Sequence, residues 1–295
     1  ERELSRIRIN APDEVRRTFY SGLYHTMLAP TLFSDVDGRY RGMDLKVHTL
    51  PKGQHNYSTY SLWDTYRALH PLYTLFQPDK VPDLVQGLVR QANESPHGPT
   101  VWPLQGVETG TMIGYHSVVV IAEAQAKGFT GIDYAAAWPV YRDRALSSDW
   151  LGLGWYRKLG YLPSDGEPEA VSKTLEYAYD DFCLSTLAAS LGKKEDADQL
   201  RSRALNYRNV IDPSTGYARG RYADGRWIAK FDPFAKRASF ITEGSPAQYT
   251  WFVPQDIAGL QKIMGGKARF AAKLDTLFDQ GHYWHGNEPN HQIAY

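Results

Sequence analysis

One acidic residue, Glu243, stands in a stretch whose residue types could bind and cleave a sugar. A glycine follows it at once, which lets the backbone come close to a ligand. Aromatic rings pack on the faces of a sugar, while hydroxyl and amide groups bond its hydroxyls. A carboxyl group beside apolar rings tends to keep its proton, so it can serve as a general acid. The neighbours of these kinds are Thr242, Gly244, Ser245, Gln248, Tyr249 and Trp251.

A structural role for Glu243 is the competing interpretation. A helix is expected to begin near Pro246, and acidic residues are common in the first turn of a helix. Glu243 could therefore cap that helix instead of reacting with a ligand. The residue types alone leave both interpretations open.

A second group of candidate sugar-binding residues lies earlier in the chain. Trp63 and Asp64 stand together near the start of a predicted helix over 57–76, where they could present a stacking ring beside a hydroxyl acceptor. The alternative is that Trp63 belongs to the core and that Asp64 pairs with Arg67 one turn later. Glu108, in a loop rich in Pro and Gly, is also predicted to bind the sugar.

Metal and thiol chemistry have little support from the residues alone. The loop that contains Asp35, Asp37 and Asp44 begins like a calcium-binding loop, but the twelve-residue pattern with its terminal Glu is missing. An Asp-Gly turn is the alternative interpretation. Cys183 is the only cysteine, so neither a disulfide nor a thiolate zinc site can form, and a small core residue is expected there. His116 is expected to be a core histidine.

Composition excludes several classes of partner. The net charge is zero and no basic stripe is visible, which argues against nucleic acid as a partner. No run approaches the roughly 18 apolar residues that a membrane span needs. The 8 Trp and 20 Tyr residues, many beside Gly, Pro, His or Asp, favour a cleft for a carbohydrate or another flat polar ligand. A chain of 295 residues predicts either two domains or one large repetitive domain.

Hydrophobic spacing predicts an all-α fold of about nine helices with long aromatic loops. The clearest element is an antiparallel helical hairpin with its turn at Gly192. Alternating helices with loops on both sides favour a ring of helical hairpins. The predicted helices cover 13–28, 57–76, 81–92, 111–128, 130–145, a helix that ends at 191, 197–211, 254–264 and 267–280, with a short strand at 46–50.

Five stretches, in this order, resemble the catalytic module of glycoside hydrolase family 92. They are FYSGLYHTMLAPTLFSDVDGRY, YSTYSLWDTYRALHPLYTL, WPLQGVETGTMIGYHSVVVIAEAQAKG, ITEGSPAQYTWFVPQD and HGNEPNHQIAY. The resemblance implies a calcium-dependent, exo-acting, inverting α-mannosidase on mannose-containing glycans, either N-glycans or mannan, and a secreted or periplasmic location. It also implies that residues 1–295 form a single catalytic domain, part of an (α/α)6 toroid that is incomplete at its C-terminal end, with a preceding β-sandwich domain absent.

The resemblance assigns roles to individual residues. Glu243 corresponds to the general acid, and Trp63 with Asp64 corresponds to the motif that holds the terminal mannose. Asn287 and Glu288 match the segment that meets the sugar on the leaving-group side. Some members that cleave α-1,2 linkages have a His where Asn287 stands, which argues against that linkage here. Gln292 lies near the place where the family binds Ca²⁺.

The motif that supplies the family's catalytic base has no counterpart in this chain. We therefore expect these 295 residues alone to have little activity, and a second chain or a continuation to supply the base. Two other interpretations remain. One is a different toroid glycosidase, similar to trehalases or glucosidases, and the other is a carbohydrate-binding protein without catalysis.

Overall fold

The computed structural model describes residues Glu1 to Tyr295, and helices dominate it. The α-helices are α1 (Asp13–His25), α2 (Leu62–Thr65), α3 (Leu69–Phe76), α4 (Val81–Glu94), α5 (Ser117–Ala126), α6 (Tyr134–Leu146), α7 (Leu153–Leu159), α8 (Ala170–Ser190), α9 (Lys194–Arg203), α10 (Pro246–Tyr249), α11 (Ile257–Ile263) and α12 (Lys267–Asp279). Three 3₁₀ helices cover Leu4–Arg6, Asn206–Asn209 and Glu288–Ala294.

The strands are short and form only isolated antiparallel pairs. They are β1 (Thr31–Leu32), β2 (Arg39–Arg41), β3 (Val47–Thr49), β4 (Tyr57–Ser58), β5 (Pro103–Leu104), β6 (Val107–Glu108), β7 (Ile211–Asp212) and β8 (Tyr217–Ala218). The pairs are β1 with β4, β2 with β3, β5 with β6, and β7 with β8. Pairs of two or three residues cannot bury a core of their own, so the helices must supply it. The predicted all-α class is confirmed, and none of the helices is long and apolar enough to cross a membrane.

The chain divides into two compact units, residues 1–140 and 141–295. In the first unit, α4 packs against α5, and α3 also contacts α5. The buried residues of α4 recur at helical spacing, with Leu84, Leu88 and Ala92 four residues apart. Seven of the ten residues of α5 are buried, because this helix contacts both α3 and α4. A single catalytic domain over residues 1–295 stays a prediction.

The predicted helix over 57–76 is wrong in its first part. Tyr57 and Ser58 form β4, which pairs with β1, and Thr59 follows with φ of +65°. The helix is then divided into α2 and α3. Pairing with β1 satisfies the backbone of a segment in which aromatic and β-branched residues favour a strand.

The second unit is built on α8, in which sixteen of the twenty-one residues are buried. As predicted, α8 forms a tight antiparallel hairpin with α9, and Gly192 takes φ of +72° at the turn. Cys183 is a buried residue of α8, as expected. The second arm is shorter than predicted, because the chain leaves α9 after Arg203 for a 3₁₀ helix and β7.

Two further differences concern helix starts and helix number. The helix predicted over 111–128 begins only at Ser117, because Met112 and Gly114 have positive φ, which a helix cannot accommodate. The structure has twelve α-helices where about nine were predicted. The three extra ones are the additional helix from the division into α2 and α3, the short α7, and α10, whose start near Pro246 was expected but which was not among the nine.

Candidate active site

The loop that carries Glu243 is fixed to the beginning of α8. The Val171 amide donates to the Phe240 carbonyl at 3.0 Å, and the Thr242 amide donates to Ser172 Oγ at 2.8 Å. Amide groups in the first turn of a helix have no partner within the helix, so α8 can use them to hold an adjacent loop. The residue next to Glu243 is therefore tied to the most buried helix of its unit.

Glu243 does not cap the helix that follows it. A short helix does begin at Pro246, as predicted, but Ser245 is its N-cap. Ser245 Oγ accepts from the Gln248 amide at 3.3 Å, and Gln248 Oε1 accepts from the Ser245 amide at 2.7 Å, which completes a capping box. Ser245 therefore caps α10, and the capping interpretation of Glu243 is wrong.

Glu243 itself is exposed and has an unusual backbone conformation. Its φ is +44°, a region that non-glycine residues seldom occupy and that costs about 1 kcal/mol or more. Asn287 holds this residue at two points. Its Nδ2 donates to the Glu243 carbonyl oxygen at 2.8 Å and to Glu243 Oε2 at 3.1 Å. One amide group therefore fixes both the backbone and the carboxylate of the acid.

The Glu243 side chain lines a cleft of about 740 Å³, a volume suited to a small sugar. Phe234 stacks on His282 at one side, with ring centres 3.8 Å apart. Trp284 also lines the cleft, and 56% of it is exposed. The full lining is Phe234, Lys236, Arg237, Glu243, Gly244, Ser245, Gln248, Gly281, His282, Tyr283, Trp284 and Asn287.

The segment 281–287 that faces Glu243 is held by α12 and by Gln248. The amides of His282 and Tyr283 both donate to the Leu277 carbonyl, at 2.9 and 2.8 Å. Gln248 Nε2 also donates to the His282 carbonyl, at 3.4 Å. A Cβ on Gly286 would lie 2.4 Å from the Trp284 indole, so a larger residue at this position would displace the Trp284 ring. The side-chain amide of Gln248 thus completes the cap of α10 and also connects the two sides of the cleft.

Trp63 and Asp64 lie in α2, within the first unit. Only 1% of Trp63 is exposed, so the alternative that it belongs to the core agrees with its burial. Its indole Nε1 is nevertheless buried with no hydrogen-bond acceptor. The Arg67 guanidinium lies 5.0 Å from the centre of the Trp63 ring, and Arg67 Nε donates to the Trp63 carbonyl at 2.9 Å. His116, expected in the core, is buried and stacks on Tyr66.

Glu108 supports the backbone of its own loop. Its carboxylate accepts from the amides of Val101 at 2.8 Å, Trp102 at 2.9 Å and Gly110 at 2.8 Å. These three donors occupy most of the lone pairs that a sugar hydroxyl would need. Its geometry is that of a loop support.

Glu288 and Gln292, the remaining predicted site residues, lie in the 3₁₀ helix Glu288–Ala294, for which Asn287 is the N-cap. Gln292 Nε2 donates to the Pro289 carbonyl at 3.0 Å, while its Oε1 is buried without a donor. No group of three or more His, Cys, Asp or Glu residues is placed to share a metal ion.

The structure brings Glu243 and Asn287 into direct contact, with Glu288 next along the chain. Trp284 and the Phe234–His282 stack are cleft residues that the sequence analysis did not single out. The available signal was the run Gly281–Gly286, in which aromatic residues and histidines stand between two glycines.

Comparison with known proteins places the chain in one family. The model of the glycosyl hydrolase family 92 catalytic domain matches residues 1–295. The family GH92 α-mannosidase BT3965 from Bacteroides thetaiotaomicron is 42% identical and has a TM-score of 0.94 over 100% of this chain and 40% of its own. A structure of that enzyme in complex with mannoimidazole matches with the same TM-score of 0.94.

Two further relatives agree. The inverting mannosidase BT2199 of the same family and organism is 34% identical, with a TM-score of 0.89 over 98% of this chain and 43% of its own. An uncharacterized secreted glycosidase of Arthroderma benhamiae is 25% identical over 94% of this chain and 36% of its own length. The chain thus spans about two fifths of the length of these relatives, and its all-α fold is consistent with part of a helical toroid. The chain belongs to glycosyl hydrolase family 92 and lies within the catalytic domain of that family.

Proposed function

We propose that the protein containing this chain is an exo-acting, inverting α-mannosidase that removes terminal mannose from glycans. The observation that carries the proposal is Glu243, exposed in a cleft with aromatic residues and held by Asn287. Two relatives named as α-mannosidase and inverting mannosidase support the sugar and the stereochemistry.

Glu243 is the general acid in this proposal. Its carboxyl group donates a proton to the oxygen between the terminal mannose and the leaving group, while that C–O bond breaks. The capping box keeps Ser245 and Gln248 bonded to each other, so neither competes for the acid. Glu243 is therefore available to the substrate, although it lies in the loop just before the capping box of α10.

Asn287 positions the acid. Since its Nδ2 bonds both the carbonyl and Oε2 of Glu243, it fixes the direction of the carboxylate. After the proton leaves, the same N–H stabilises the carboxylate that remains. The pair thus supports both the start and the end of proton transfer.

The catalytic base lies outside this cleft in our proposal. Glu243 is the only carboxylate among the residues that line it. An inverting glycosidase needs a second carboxylate, about 6.5–9.5 Å from the first, to activate a water molecule. A carboxylate elsewhere in the full-length protein, or in a partner chain, supplies that function.

Trp63 and Asp64 are the residues proposed to hold the terminal mannose. The Asp64 carboxylate accepts hydrogen bonds from sugar hydroxyls. The buried indole N–H of Trp63 has no acceptor in the structure and can donate a hydrogen bond. Glu108 acts through the loop that it supports, since its carboxylate is already bonded to three amides. Glu288, beside Asn287, contacts the leaving-group side.

Calcium is the proposed cofactor, and one residue of this chain fits it. Ca²⁺ takes six to eight oxygen ligands, including amide carbonyl oxygens. Gln292 offers such an oxygen, because its Oε1 is buried without a donor while its Nε2 is anchored on Pro289. When bound, the ion supplies positive charge that orients the 2- and 3-hydroxyls of the sugar. The other ligands come from elsewhere in the full-length protein.

The proposed substrates are mannose-containing glycans of the N-glycan or mannan type, and the proposed location is secreted or periplasmic. The mannoimidazole complex of a relative supports a mannose-type ligand, and a relative described as secreted supports the location.

Release of mannose from a panel of α-linked mannobioses tests the function. The full-length protein should release mannose with calcium and lose this activity in EDTA, and NMR of the first product should show the inverted β anomer. Glucose release from α-glucosides that persists in EDTA would instead establish a metal-free glucosidase. Sugar binding without turnover would establish a carbohydrate-binding protein.

A further inference from the structure

Two consecutive cations, Lys236 and Arg237, both line the cleft that contains Glu243. Both are exposed, and neither forms an ion pair. Several other basic side chains of this unit pair with acids, among them Lys173 with Glu167, Arg203 with Asp181, Arg208 with Asp256, and Arg219 with Asp212. Consecutive residues usually point in different directions, so the presence of both in one lining concentrates positive charge there.

The backbone that carries these cations is fixed on both sides. The Pro233 carbonyl accepts from the Ala247 amide of α10 at 2.7 Å. Phe234 stacks on His282, which belongs to the segment leading to Asn287. The two cations are therefore attached to the same elements that position the acid.

The cleft also offers a surface for a sugar ring. Trp284 is a large, exposed aromatic residue, and the carbonyl of its backbone accepts from Asn290 Nδ2 at 2.9 Å. Since Glu243 protonates the oxygen that joins the two sugars, the leaving-group sugar must lie beside Glu243. An aromatic face with two unpaired cations matches a ring that carries a negative charge.

We propose that this cleft is a leaving-group subsite that selects a sugar with an anionic substituent, either a phosphate ester or a carboxylate, bound by Lys236 and Arg237. The proposal rests on the proposed α-mannosidase function. Arg237 can bind two oxygens of such a group at once, while Lys236 contributes a point charge.

The test uses the full-length protein and three α-mannosyl disaccharides that share the linkage it cleaves best. Their reducing-side sugars are mannose, mannose 6-phosphate and a uronic acid. We expect kcat/KM to be about tenfold higher for a charged leaving group than for mannose, an effect typical of partly exposed charge pairs. The preference should weaken as salt is raised, because the cations are exposed.

A double variant, Lys236→Gln with Arg237→Gln, should lower the charged-to-neutral ratio to about one. The matched control is Lys193→Gln with Lys267→Gln, which removes the same charge at two exposed positions outside the cleft and should keep the ratio. A phosphate-only preference identifies the ester as the ligand, and a preference for both charged sugars identifies a general anion site.

Equal kcat/KM for the neutral and both charged disaccharides would overturn the subsite, as would an unchanged ratio in the double variant. Calorimetric binding of the three disaccharides to Glu243→Gln measures the same preference without turnover. If the full-length protein releases mannose from no α-linked mannobiose, the proposed function is wrong, and calorimetry with the neutral and charged disaccharides of any one linkage still decides the subsite.

Discussion

Glu108 and Glu243 are both glutamates with a glycine and a tryptophan nearby in the chain, yet their surroundings differ completely. Glu108 accepts from three backbone amides. The Glu243 carboxylate accepts a hydrogen bond from the side chain of Asn287 and stays exposed. A carboxylate whose lone pairs accept hydrogen bonds from backbone amides stabilises a loop, whereas one with unbonded lone pairs can bind a substrate.

Two tryptophans, one in each unit, differ in the same way. Trp63 is 1% exposed and Trp284 is 56% exposed. The first can respond to a ligand only through its indole N–H or through its packing, whereas the second can offer its ring. We therefore expect substitutions around Glu108 to act first on stability and those around Glu243 to act first on turnover.

Replacement of Glu243 should produce the largest effect. Glu243→Gln keeps the shape of the side chain but cannot donate the proton, so kcat on mannobiose should fall about 10³-fold. Binding of the disaccharide should survive. An aryl mannoside whose leaving group needs no protonation should lose much less.

Glu169→Gln is the matched control for that experiment, since Glu169 also has a positive φ, of +56°, and does not line the cleft. It should retain the turnover of the natural protein. A Glu243→Gln protein with more than about a tenth of the original kcat would contradict the role of general acid.

Replacement of Glu108 should lower stability. Glu108→Ala leaves the amides of Val101, Trp102 and Gly110 without their acceptor, so the free energy of unfolding should fall by about 3 kcal/mol. Glu108→Gln retains one acceptor oxygen, so its free energy of unfolding should lie between those of Glu108→Ala and the natural protein. Urea denaturation measures all three. Unchanged stability with lost sugar binding would instead show that Glu108 contacts the substrate.

Acid should destabilise the first unit through His70. Burial lowers the pKa of His70 to about 4, below the 6.5 of an exposed histidine. The unfolded chain therefore binds a proton that the folded chain refuses, and stability is lost as the pH falls from 6.5 towards 4, by about 3 kcal/mol.

His70→Phe keeps the aromatic stacking with Tyr60 and removes the titration. Its melting temperature should change less between pH 7 and pH 4 than that of the natural protein. His25→Gln, at an exposed position on α1, should leave the pH dependence unaltered. A His70→Phe protein with the original acid sensitivity would assign the effect to other groups.

Removal of the Asn287 side chain should have the smallest of these effects. Asn287→Ala deletes both bonds to Glu243, so the acid loses its fixed direction and kcat should fall about tenfold. KM should change less. A rise in KM with kcat intact would show that Asn287 acts only on the leaving-group sugar.

The sequence predicted the elements whose signals are local. Apolar spacing and Gly192 predicted the hairpin of α8 and α9, and Pro246 marked the start of α10. Prediction failed at Tyr57 and Ser58 because strand pairing with Thr31 and Leu32, residues distant in the chain, outweighed the helical pattern.

The sequence by itself determined that Glu243 is an acid among residues suited to a sugar, and its motifs indicated the family. Only the tertiary structure decided what each glutamate does. Asn287, forty-four positions away, supplies the bonds that hold Glu243 open to the cleft, whereas local amides occupy Glu108. A carboxylate can react only through lone pairs that its neighbours leave unused, and folding determines which neighbours those are.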